Sequence, residues 1–151
     1  MNTGGLKNQG DQWSKAGLKG TDVSDESIRL LVMDVDGVLT DGTLWFDEQG
    51  QPLRRFHIRD GLGLALWQAT GKQAAILTSK QSQAILARAR MMGIQLIEQG
   101  QENKLPGLKR ILAAARVTPD QTAYMGDDLL DLVAMRSVGY PIAVADAVQE
   151  V

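Results

Sequence analysis

From Ile28 onward the chain alternates between two rhythms of apolar and polar positions. Short apolar runs with β-branched content, "IRLLVM", "QAAILT", "IQLIEQ", "TAYM" and "PIAVA", predict buried strands. Between them the apolar positions fall at helical spacing. "DGLGLALWQATG" predicts a helix from Asp60 with Gly71 as its stop. "QSQAILARARMMG" places Ile85, Leu86, Ala89 and Met92 on one helical face and ends at Gly93. "ENKLPGLKRILAAARV" does the same with Leu105, Leu108, Ile111, Leu112 and Ala115. Pro106 is compatible only with a first turn, so that helix begins near Leu105. "DLLDLVAMRSV" predicts a last helix. One stretch breaks the rhythm: "TLWF" and "LRRFHI" flank "DEQGQP", whose Gly50 and Pro52 are turn formers, which predicts a β-hairpin.

Strands that alternate with helices of about three turns imply right-handed crossovers. The expected fold is α/β, a Rossmann-like, doubly wound, mainly parallel sheet with a projecting hairpin. The first 25 residues lack either rhythm. They are rich in Gly, Lys, Asp and Gln, with Trp13 the only large aromatic, and read as a mobile arm ahead of one domain over residues 26–151.

The bulk properties narrow the function. A net charge of −2 with no block of Lys or Arg argues against nucleic acid as a partner. With no cysteine, neither a disulfide framework nor a thiolate-bound metal is possible. No apolar run approaches a membrane span, and the first 25 residues hold no hydrophobic segment of the signal-peptide kind. The expectation is a cytoplasmic protein that acts on a small molecule.

In open parallel sheets, ligands bind outside the carboxyl ends of the strands. That rule converts strand ends into a site. Asp34 and Asp36 follow the first strand, and Thr78 and Ser79 the second. Lys104 opens the helix after "IQLIEQ". Gly126, Asp127 and Asp128 follow "TAYM", with Asp131 one turn on. Crowded carboxylates stay ionised only around a cation. With oxygen donors alone, the ion is hard, Mg²⁺ before Ca²⁺ or Mn²⁺. A hydroxyl and an ammonium beside it suit a phosphoryl group. Singly each feature is weak: a DxD pair is common, Thr78 could be a cap, Lys104 a surface lysine and "GDDLLD" a capped helix start. Their order at successive strand ends carries the reading.

"DVDGVLTDG", Thr78, Lys104 and "GDDLLD" together resemble the four motifs of the haloacid dehalogenase superfamily. The longer strings "VMDVDGVLTDGTLWFDEQG", "RRFHIRDGLGLALWQATG" and "YMGDDLLDLVAMRSVGYPIAVADA" resemble its small capless branch, the 3-deoxy-D-manno-octulosonate 8-phosphate phosphatases. The resemblance spans about residues 28–148.

It implies that Asp34 is the nucleophile and passes through an aspartyl-phosphate. Asp36 is then the general acid toward the leaving sugar oxygen and the general base toward water. Asp34, the backbone carbonyl of Asp36 and the side chain of Asp127 would hold Mg²⁺. Asp128 and Asp131 would support them or act through water. Thr78 and Lys104 would neutralise the equatorial oxygens, and Gly37 would keep the loop backbone close to the phosphate. Arg59 in "FHIRDG" is the candidate for the substrate's carboxylate, and His57, on the outgoing hairpin strand, is assigned a structural or rim role. The branch joins its hairpins in a homotetramer, here through residues 43–58.

Two departures stand out. "LTSKQS" replaces the branch's Ser-Gly-Arg, and the chain stops at "ADAVQEV" where the branch continues into another strand and a glycine- and arginine-containing tail. The competing readings are a related sialic-acid-type nonulosonate 9-phosphate phosphatase, a phospho-accepting receiver domain, and a catalytically weak assembly or regulatory subunit. Receivers carry the acidic pair after the first strand and the acceptor after a middle one. The order here is the reverse.

Overall fold

The structure is a computed structural model that describes residues 27–151. The expected N-terminal arm and Trp13 lie outside the described residues. The first strand, β1 (Leu30–Met33), sits in the middle of a five-stranded sheet of order β5-β4-β1-β6-β7. The others are β4 (Gln73–Leu77), β5 (Leu96–Glu98), β6 (Thr122–Gly126) and β7 (Tyr140–Ala143). Every pairing in it is parallel. β1 pairs from Leu30 opposite Gln73 to Met33 opposite Ile76 on one side, and from Leu30 opposite Thr122 to Met33 opposite Met125 on the other.

Strand side chains alternate between faces, and both faces are covered. Leu30, Val32, Ala75, Leu77 and Tyr124 pack toward α3 (Lys104–Ala115) and α4 (Leu132–Met135), against Leu108, Ile111 and Ala134. Met33 and Ile76 pack the other way, with Leu64 of α1 (Ile58–Ala69) and Ile85 and Ala89 of α2 (Gln83–Met91). Each fully buried aliphatic side chain of this kind stabilises the fold by about 1.5–3 kcal/mol. The apolar stripes expected on α2 and α3 face these cores, with Ile85, Ala89, Met92, Leu108, Ile111 and Ala115 buried. Ser82 caps α2 by accepting from the Ala84 N–H (3.2 Å), and Asn103 caps α3 by accepting from the Leu105 N–H (3.1 Å). Pro106 falls in the first turn of α3, where its missing N–H costs nothing.

The hairpin is the main correction. Its strands, β2 (Trp45–Phe46) and β3 (Pro52–Leu53), are two residues each, and "LRRFHI" does not run on as a strand. The chain leaves the ribbon at Arg54, whose side chain turns in to an ion pair, and Phe56 packs on the α1/α2 core. His57 is therefore not on a strand. It is the N-cap of α1, its Nδ1 accepting from the Arg59 N–H (3.2 Å), so the helix begins at Ile58 and not at Asp60. The last expected helix is also shorter. Leu129–Asp131 forms a 3₁₀ turn before α4, and α4 is four residues long.

Candidate active site

The strand order reverses between β1 and β6, so the loops after them open a crevice at the sheet's carboxyl edge. Asp34 enters it from β1 and Asp127 from β6. Lys104, 1% exposed, arrives from the first turn of α3. Its Nζ lies 2.9 Å from Asp34 Oδ2 and donates to Asp131 Oδ1 at 2.6 Å. The Tyr124 hydroxyl donates to the same Asp131 oxygen at 2.6 Å. The other oxygen of Asp131 accepts the backbone N–H groups of Asp127 (3.1 Å) and Asp128 (3.2 Å). Asp131 is thus occupied on both oxygens and fixes the loop that carries Asp127. Burial, reinforced by the Asp131 charge, pushes the Tyr124 hydroxyl far above its ordinary range, so it serves as a donor.

Asp34 and Asp127 differ from Asp131 in one respect. Each keeps a buried Oδ1 with no hydrogen-bond partner. Burial raises the Asp34 carboxyl above its usual value, with Lys104 acting against the shift. Asp127 is raised to about 6, first by burial and then by the charges of Asp34, Asp131 and Asp128. Ligand oxygens of Asp34, Asp127 and Asp131 lie within 4.8 Å of one another. Two unpartnered buried carboxylate oxygens, one on Asp34 and one on Asp127, are a donor pair that suits a hard divalent cation.

Gly37 shapes the same spot. Its φ is +92°, and a Cβ there would lie 1.9 Å from Asp127 Oδ2. Thr78, 1% exposed at the end of β4, accepts the Lys80 N–H on Oγ1 (3.2 Å) and retains its own O–H to donate. Asp36 lies two residues past Asp34 and is gripped at both oxygens by Arg54: Nε donates to Oδ1 at 2.8 Å and Nη2 to Oδ2 at 3.1 Å. Sequence reasoning missed Arg54 and the Tyr124 hydroxyl. The strand ends at Leu53, so no periodic signal in "LRRFHI" singles out Arg54.

Asp128 is exposed and caps the 3₁₀ turn, its Oδ1 accepting from the Leu129 N–H at 2.6 Å. Arg59 is exposed in the first turn of α1. A cavity of about 570 Å³ opens beside the Asp36 loop, lined by Thr40, Asp41, Arg55, Phe56, His57 and Asp60. Within it Asp41 accepts from the Thr43 hydroxyl and from Arg55, and these bonds, led by the hydroxyl, hold its carboxyl down at about 2.

Comparison with known proteins places the chain among relatives of one kind. The profile of the haloacid dehalogenase-like hydrolases matches residues 69–151. The 3-deoxy-D-manno-octulosonate 8-phosphate phosphatase of Yersinia pestis is 41% identical over 121 residues, covering 80% of this chain and 65% of the relative. The chain therefore spans just under two thirds of that protein's length. A crystal structure of the phosphatase of the same name from Moraxella catarrhalis, in complex with magnesium, phosphate and KDO, is 37% identical with a TM-score of 0.78, covering 82% of this chain and 71% of that one. The cobalt-bound Haemophilus influenzae phosphatase is 41% identical with a TM-score of 0.78, covering 81% and 71%. No helix among the described residues is long and apolar enough to cross a membrane.

Proposed function

This chain belongs to the haloacid dehalogenase-like hydrolase family, and we infer that it is a Mg²⁺-dependent phosphomonoesterase acting on a sugar-acid phosphate, 3-deoxy-D-manno-octulosonate 8-phosphate first among them. The observation that carries the inference is the pair of unpartnered, buried oxygens on Asp34 and Asp127 beside Lys104. Relatives about 40% identical bear the name of that phosphatase. A phosphorylated sugar acid is too highly charged to cross a bilayer unaided, which supports a cytoplasmic site of action.

In this reading the Asp34 carboxylate attacks phosphorus while Asp36 delivers a proton to the leaving sugar oxygen. The P–O bond to the sugar breaks and an aspartyl-phosphate forms. Asp36 then takes a proton from water as the water oxygen attacks phosphorus and frees Asp34. Lys104 and the Thr78 hydroxyl stabilise the equatorial oxygens. Asp34 Oδ1, Asp127 Oδ1 and the carbonyl of Asp36 would hold Mg²⁺, which when bound neutralises phosphate charge and lets the two acids stay ionised together. Asp128 and Asp131 act as supports. The exposed side chain of Arg59 is assigned to the substrate's carboxylate.

A screen of sugar phosphates with Mg²⁺ tests the function. Turnover is expected on octulosonate 8-phosphate above hexose phosphates, and no turnover of any phosphomonoester would refute it. Excess chelator should stop the reaction and Mg²⁺ restore it, with Ca²⁺ a poor substitute because it takes more ligands in looser geometry. Because Asp127 must lose its proton to bind metal and its pKa is raised to about 6, apparent Mg²⁺ affinity should weaken as pH falls through that value. Isothermal titration at pH 5 and 7 reads this. Equal affinity at both would show that the Asp127 carboxyl is not raised in this way.

The hairpin supports the assembly proposed with this function, a homotetramer. Leu44, Trp45, Phe46 and Leu53 are all more than half exposed, the least of them at 51%, although apolar. Contiguous apolar surface of this kind is normally buried by a partner. Replacing Trp45 and Phe46 by polar residues should give smaller species in light scattering and a larger loss on sugar phosphate than on a small aryl phosphate. A fully active wild-type monomer at micromolar concentration would defeat the assembly.

A further inference from the structure

Arg54 is buried in a way that its place in the chain does not explain. It directly follows the two-residue strand β3, yet its side chain is only 9% exposed, against 34% for its partner Asp36. Its neighbour Arg55 has a side chain 72% exposed. The guanidinium spans both oxygens of Asp36 at 2.8 and 3.1 Å, while Nη1 is buried without any partner. Withdrawing a guanidinium from water and leaving one of its nitrogens unpaired costs stability. Stability alone therefore does not account for the placement, whereas geometry does. A two-point grip fixes both the rotamer of Asp36 and the plane of its carboxylate, and proton transfer is sensitive to that plane.

We propose that Arg54 is the positioning residue of the acid–base group, holding the Asp36 carboxylate in the orientation that serves the leaving oxygen and then the water, and linking it to the hairpin. The proposal rests on the phosphatase reading above. Arg54 need not touch the substrate. In the first step the proton passes from Asp36 to the leaving oxygen as the P–O bond breaks. In the second, the proton of water returns to Asp36 as the Asp34–phosphorus bond breaks. Arg54 gives up no proton in either.

Rapid-quench measurement of aspartyl-phosphate on the full chain with Mg²⁺ tests this, comparing p-nitrophenyl phosphate, whose leaving group needs no proton, with a sugar phosphate, whose leaving group does. Arg54→Ala should slow phosphoenzyme formation from the sugar phosphate on the order of 10- to 100-fold. The same step from the aryl phosphate should stay within about threefold, since it needs no proton. Breakdown of the phosphoenzyme should slow with either substrate. The substrate dissociation constant and the Mg²⁺ requirement should hold. Added guanidinium ion should restore part of the rate to Arg54→Ala but none to Asp36→Asn. Should Arg54→Ala fail to fold, Arg54→Lys decides, because one ammonium offers a single-point grip and should show the same split more weakly. Equal slowing of phosphoenzyme formation from both substrates, or a change confined to KM, would overturn the proposal. A wild-type chain that forms no phosphoenzyme from either substrate would instead remove the phosphatase reading itself.

Discussion

Replacing Asp34 by asparagine is expected to lower turnover by about 10⁴-fold or more, the scale on which removal of a catalytic nucleophile acts. The amide has the same shape but no lone pair basic enough to attack phosphorus, so no aspartyl-phosphate should accumulate in rapid quench. The fold should survive. Lys104 keeps its 2.6 Å bond to Asp131, and the amide oxygen of asparagine can turn to the ammonium that Asp34 Oδ2 now meets at 2.9 Å. Burial raises the Asp34 pKa, which means the ionised carboxylate is disfavoured in the metal-free fold. Linkage gives the sign: a carboxyl whose folded pKa is raised contributes its stability at low pH and loses it as pH rises through the folded value. The asparagine variant escapes that loss, so without metal its melting temperature at pH 7 should equal or exceed that of the wild type. Turnover within tenfold of wild type would remove the covalent mechanism.

Much of this site could be read before the fold was known, for a definite reason. Asp34, Thr78, Lys104 and Asp127 are scattered over 94 positions, but each stands at or just after the end of a run whose periodicity marks it as a strand, or opens the next helix. A parallel sheet brings such ends together whatever the details of its loops. The roles of Arg54, Tyr124 and His57 were not legible. Arg54 lies in "LRRFHI", which reads as the second strand of the hairpin, and nothing in periodicity reveals that the ribbon stops at Leu53 and the chain turns inward. Tyr124 reads as core, which it is, at 0% exposure. That its hydroxyl closes on Asp131 from one strand to the following turn is a matter of tertiary distance. His57 is a weak capping residue by propensity, and only the backbone geometry after Arg54 makes it the cap of α1.

Gly37 offers the second large effect, because it separates metal binding from stability. Alanine at this position would place a Cβ 1.9 Å from Asp127 Oδ2 and 2.4 Å from its Cγ. It must also adopt a φ of +92°, which costs an L-residue about 1–2 kcal/mol. The obstacle is the end of one short side chain, so the structure yields by moving the Asp127 carboxylate. The backbone strain then sets the stability loss at a few degrees of melting temperature. The displaced carboxylate sets the functional loss. Mg²⁺ affinity should fall by about 10- to 100-fold, comparable to losing a neighbour that orients a metal ligand. Activity should fall with it at limiting Mg²⁺ and recover in part when Mg²⁺ is raised. Gly63 is the control. It lies within α1, and a Cβ added there would meet nothing inside 4 Å, so alanine should stabilise by about 0.5–1 kcal/mol and leave the Mg²⁺ requirement alone. If Gly37→Ala binds Mg²⁺ as the wild type does, the loop after Asp36 does not define the position of Asp127, and the cation site must be drawn elsewhere.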